Sequence, residues 1–142
     1  MTGIDIIKLK NWAVIGSVSN PEKYAYKIVE KFKVNNYNVY GVHPRGGEGL
    51  YSSLKDIKGK IDCIDLCINP ALGMRYLEEA KELGIKNVLI QPGAESVDVI
   101  NYCEDNGMNV IEGCALVLLN YVNLPKDIQK ERHEFLQGEG QE

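Results

Sequence analysis

The sequence predicts an α/β domain built on a doubly wound parallel sheet. Two observations carry this reading: five short runs rich in Val and Ile, and segments of helical periodicity between most of them. Apolar runs with little alternation suit strands buried on both faces. Strands that alternate with helices over short connections leave few topologies other than a right-handed parallel sheet.

The five strand candidates are Trp12 to Gly16, Asn38 to Val42, Ile61 to Ile68, Asn87 to Gln91 and Asn109 to Glu112. Ala25, Ile28, Val29 and Phe32 form the first helical stripe. Gly73, Tyr76, Leu77 and Ala80 form the second, and Ser96, Val99, Ile100 and Cys103 the third. Each stripe lies on one helical face, as a helix resting on a sheet requires. Asn20-Pro21 reads as an N-cap followed by proline at the first helical position. Gly84, Gly107 and Asn36 fall where a left-handed residue ends a helix. Only the connection between the second and third strands lacks a full helix; it holds a Gly-rich loop and a turn or short helix around Ser52 to Ile57. The expected strand order is 3-2-1-4-5. Ala115 to Val122 is apolar all round, which predicts a short buried helix covered by a Lys126 to Leu136 helix or by another subunit. We expect one domain over residues 1–137, with 138–142 a disordered tail.

At 142 residues with 25% charged side chains, the chain has one domain's worth of ordinary globular composition. A net charge of -4 argues against broad nucleic-acid or membrane-surface binding, because polyanions are repelled at long range. No stretch reaches transmembrane length and no signal segment follows Met1, so the expected compartment is the cytoplasm. The cysteines Cys63, Cys67, Cys103 and Cys114 lack paired CxxC spacing and are expected as reduced, buried thiols.

In open parallel sheets the ligand crevice lies beyond the carboxyl ends of the strands. The first such loop, Gly16-Ser17-Val18-Ser19-Asn20, opens toward a helix and offers a glycine, two hydroxyls and helix-start amides to an anion. Val18 stands where the dinucleotide fingerprint would place its second glycine. After the second strand, where an NAD site has an acidic residue, the chain has His43-Pro44-Arg45 on a glycine-rich loop. Arg45 suits a ribose-attached phosphate through charge-assisted hydrogen bonds. Coenzyme A carries a 3′-phosphate and NADP a 2′-phosphate, so this feature alone admits either.

Taken together, Ala13 to Lys23, Tyr40 to Pro44, Tyr51 to Ile57, Ile61 to Leu66, Ile90 to Gly93 and Asn106 to Ile111 resemble the small stand-alone CoA-binding proteins. These are relatives of the N-terminal CoA domain of the succinyl-CoA synthetase α-subunit. The resemblance spans about residues 11 to 118 and implies a Rossmann-like CoA-binding fold. It implies a pyrophosphate at Gly16 to Asn20 and the 3′-phosphate ADP part near Lys23, His43, Pro44 and Arg45. The pantetheine arm would pass Asn69 and Pro70 toward Gln91 and Gly93. The chain departs from the family at His43, where relatives often have Asn, and at Asn69, where a basic residue is common. Glu112-Gly113 before Cys114 replaces a more polar or basic pair.

The related synthetases phosphorylate a histidine in a second domain. Here His133 is the only histidine besides His43, and it falls in a charged segment. No Ser/His/Asp arrangement, metal cluster or paired carboxylates stand at strand ends, so binding without catalysis is the expected role. Asp62 and Asp65 lie on opposite faces of a strand, in hydrogen-bonding or strand-edge roles. Cys63 and Cys67 share a face roughly 13 Å apart and read as core, as does Cys103. Cys114, at the ligand edge, is placed to form a mixed disulfide with the coenzyme A thiol. Two alternatives are an NADP-binding redox protein and an interaction module using Leu116 to Leu119, a run that equally suits core or a homodimer contact.

Overall fold

The computed structural model describes residues 1–124 and residue 129. The helix expected over Lys126 to Leu136, His133 within it and the expected tail lie outside the described residues, apart from Gln129. All five expected strands form: β1 (Asn11–Gly16), β2 (Asn38–Val42), β3 (Cys63–Cys67), β4 (Asn87–Ile90) and β5 (Asn109–Glu112). Every pairing is parallel. Helices α2 (Tyr24–Val34), α3 (Pro70–Glu82), α4 (Val97–Asp105) and α5 (Ala115–Val122) follow β1, β3, β4 and β5. The short helix α1 (Gly3–Ile6) was not foreseen; a reciprocal cap between Thr2 and Asp5 starts it.

The strand order is β2-β1-β3-β4-β5, not the expected 3-2-1-4-5. The chain does pair outside β2, but only as a single parallel bridge between Val42 and Tyr51. His43 N donates to Tyr51 O, and Tyr51 N donates to Gly41 O. It then crosses over to the far side of β1 and enters β3. The residues of β3 explain its central place: Cys63 to Leu66 are fully buried, which suits a strand covered on both faces. The edge strands β2 and β5 instead begin exposed.

Alternation along β1 divides the core. Trp12 and Val14 face α1, α2 and α5, whereas Ala13 and Ile15 face α3, α4 and the 3-10 turn at Leu54–Asp56. The helical stripes bury as their periodicity predicts. In the third, Val99 and Cys103 are buried while Ser96 caps α4 through Val99 N. The Ser52 carbonyl accepts from both Arg75 Nη2 and Tyr76 Oη, each at 3.0 Å, pinning the crossover to α3.

The amino ends of the strands are joined by side chains. Asn38 Nδ2 donates to Asn11 Oδ1 (3.0 Å), and Asn11 Nδ2 donates to Asp62 Oδ2 (2.8 Å). Asn87 Nδ2 donates to Asp62 O (3.0 Å), and Asn109 Nδ2 to Asn87 Oδ1 (2.9 Å). One chain of polar groups thus runs across the starts of all five strands.

Candidate functional site

The topology brings the expected site residues to one edge of the sheet. Gly16 ends β1, His43 to Arg45 follow β2, Asn69 and Pro70 follow β3, Gln91 and Gly93 follow β4, and Cys114 follows β5. Gly16 has φ 155°, and a Cβ there would press on the Cys67 carbonyl. Only glycine allows β1 to lie this close to β3 while turning into the next loop.

The helix-start expectation needs correction. Asn20 does not cap α2, whose N-cap is Lys23 without a side-chain bond. Lys23 N donates to Asn20 O (2.9 Å), and Glu22 N donates to Asn20 Oδ1 (3.0 Å). Asn20 therefore opens a tight turn with Pro21 as its second residue, a position its fixed φ favours. The helix begins three residues later than the proline signal suggested. Ser17 is half-buried, Val18 buried, and Ser19, Asn20 and Lys23 exposed.

Val18 is packed at Gly41, where an added Cβ would come 3.3 Å from Val18 Cγ2 and 2.8 Å from Leu50 Cδ2. The first loop, β2 and the glycine-rich loop thus meet at this point. A hollow opens there, lined among others by Ser19, Tyr26, Val39 and Leu50. In the glycine-rich loop, Arg45 N donates to His43 Nδ1 (3.1 Å), which fixes the imidazole against its own turn. Pro44 is half-buried and Arg45 exposed. Among the described residues no carboxylate pairs with Lys23 or Arg45.

The other expected residues divide between structural and open positions. Asn69 caps α3 by accepting from Leu72 N (3.0 Å), and Pro70 takes the first helical position. Gln91 is buried, with Oε1 accepting from Ala115 N (2.8 Å), so it ties the start of α5 to the end of β4. Gly93 is exposed, with N donating to Glu95 Oε2 (2.7 Å). Cys114 is the half-buried N-cap of α5.

Sequence reasoning missed the environment of Asp65. It expected hydrogen bonds or a strand edge, and Asp62 does accept from Asn11 N (3.1 Å) and Nδ2. Asp65 instead sits fully buried in the middle of the central strand, with neither oxygen hydrogen-bonded. Burial pushes its carboxyl well above the usual range, against a smaller lowering from the Cys67 thiol beside it. The Cys67 thiol is itself pushed well up by burial, then by Asp65 and Cys114. The readable signal was a lone acid inside an apolar run, on the face that Cys63 and Cys67 share. Among the described residues no cluster of three or more metal-ligating side chains occurs, and no helix is long and apolar enough to cross a membrane.

A parallel five-stranded sheet with its βα loops gathered at one edge defines a Rossmann-like α/β domain of the nucleotide-binding kind. Residues 10–120 match the model of the CoA binding domain, and the chain belongs to that family. It is 26% identical over 128 residues to the α subunit of ADP-forming acetate–CoA ligase II from Pyrococcus furiosus. That match covers 79% of this chain but spans only 28% of the ligase subunit. Among solved structures, a conserved hypothetical protein from Pyrococcus furiosus superposes with a TM-score of 0.70 at 31% identity, covering 77% of this chain and 98% of its own. A hypothetical protein from Pyrococcus horikoshii gives 0.75 at 28%, covering 83% and 89%. The NADP alternative finds no support in these matches.

Proposed function

We propose that this protein binds coenzyme A or an acyl-CoA at the carboxyl edge of its sheet, as a binding module without catalysis of its own. In this reading the pyrophosphate rests on Gly16, Ser17, Val18, Ser19 and Asn20, with Lys23, His43, Pro44 and Arg45 around the 3′-phosphate ADP part. The pantetheine arm runs past Asn69 and Pro70 toward Gln91, Gly93 and Cys114.

The observation that carries the reading is the CoA binding domain match over residues 10–120, which includes every one of these positions. Gly16 supports it by letting β1 lie against β3 while the chain turns into the first loop, whose backbone amides would face the phosphate. Lys23 and Arg45, without a carboxylate partner among the described residues, supply positive charge in an otherwise acidic chain.

Isothermal calorimetry of the full chain with coenzyme A, acetyl-CoA and NADP tests it. Saturable heat with coenzyme A or acetyl-CoA and none with NADP is the expected result. Heat with NADP alone would overturn the assignment.

A further inference from the structure

We propose that Cys67 and Cys114 act as a dithiol at the rim of the ligand site and reduce a CoA-bearing disulfide. The proposal rests on the coenzyme A reading for its substrate class and on the following placement for its chemistry.

Alternation puts Cys63, Asp65 and Cys67 on the face of β3 that looks toward α5. Leu66 pairs with Ile90, so Gln91 comes next in line beside Cys67 on the neighbouring strand. Gln91 N donates to Leu66 O (3.0 Å), which extends that register, and Gln91 Oε1 holds the Ala115 amide. The first turn of α5, with Cys114 as its N-cap, is therefore drawn over β4 toward Cys67. The electrostatic influence of Cys114 on the Cys67 thiol agrees with this proximity. On its other side Cys67 lies directly under Gly16, where the first ligand loop departs. Cys63 takes no part, being a full two positions beyond Asp65 in the core.

Asp65 has no structural task that explains it. A buried carboxyl without a hydrogen-bond donor destabilises a fold, and a valine or leucine would fill the central strand better. Burial keeps Asp65 protonated, so beside Cys67 it places a neutral group and not a charge that would oppose a thiolate.

The steps balance as a thiol–disulfide exchange. The half-buried Cys114 sulfur attacks one sulfur of coenzyme A disulfide; the new bond is Cys114–S–S–CoA, and one CoA leaves, taking the proton as CoA thiol. The Cys67 sulfur then attacks the Cys114 sulfur, and its proton passes to solvent. The second CoA leaves and is protonated from solvent. Two electrons pass from the protein dithiol to the CoA disulfide, giving two thiols and a Cys67–Cys114 disulfide.

Intact-mass and peptide spectrometry of the reduced full chain, after addition of coenzyme A disulfide or glutathione disulfide, tests the proposal. The expected result is a CoA adduct on Cys114 that converts to a Cys67–Cys114 cross-link. The CoA disulfide should react at least about tenfold faster than the glutathione disulfide, because binding places its sulfur near Cys114. Cys67→Ser should trap the adduct, and Cys114→Ser should abolish reaction. A persistent adduct in the natural protein overturns the dithiol. Cross-linking at equal rates from both disulfides overturns the CoA specificity. Calorimetry on the reduced natural chain separates the readings: heat with coenzyme A but no oxidation by its disulfide removes the dithiol and leaves CoA binding standing.

Discussion

Gly16 lies against Cys67 so closely that the space of a single methyl group is already taken by the Cys67 carbonyl. The contact joins the first and third strands just where the first loop leaves the sheet. Gly16→Ala should therefore destabilise the fold by roughly 1–3 kcal/mol, through both the contact and the φ of 155°. Urea unfolding measures this. A loss near zero would mean that the strands separate easily at this end.

Arg45 is assigned to the 3′-phosphate. Loss of one charge-assisted hydrogen bond costs about 1.5–3 kcal/mol, so Arg45→Ala should weaken coenzyme A binding by about tenfold to a hundredfold. Affinity for 3′-dephospho-CoA should stay nearly unchanged. Equal losses for the two ligands in calorimetry would remove Arg45 from that role.

Asp65 makes stability fall as pH rises. Burial raises its carboxyl above the unfolded value, so between those two values the native state holds a proton that the unfolded state has released. Stability is full below the unfolded value near 3.9 and declines by up to about 1.4 kcal/mol per pH unit toward the raised one. Asp65→Asn keeps the shape and removes the titration. Its stability relative to the natural chain should rise from pH 4 to pH 7; a gap that stays constant would contradict the buried carboxyl.

Asp62 has the opposite sign. Burial tends to raise its carboxyl, but the hydrogen bonds from Asn11 and the charge of Lys60 outweigh this and hold it below the usual range. Its contribution is present above the unfolded value and disappears as pH falls through the lowered one. Asp62→Ala should cost about 1 kcal/mol at pH 7 and almost nothing in strong acid, as followed by chemical denaturation at each pH.

Much of this architecture was legible because its signals are local and redundant. Four residues of α2 and four of α3 share one stripe each, and any slip of phase would expose a whole face. The strand order was not legible, because it turns on Tyr51, whose one bridge to Val42 takes the outermost place that a full strand was expected to fill. Nor was the start of α2. Asn20-Pro21 serves a turn as well as a helix cap, and the same dipeptide chemistry satisfies both. At the candidate site, position along the chain was readable from strand ends. The commitment of Gln91 to the Ala115 amide and the isolation of Asp65 were not, since both depend on residues far away in sequence.

The run of amides and one carboxylate from Asn38 to Asn109 acts as a hem. Neighbouring strands are already held together at that border, so they splay only from the opposite one. A guest molecule that pries at the loops works against a structure with a sewn back and a loose front. Accommodation of larger or smaller guests is thereby confined to the border where Gly16 and Cys114 lie, and the rest of the sheet keeps its form.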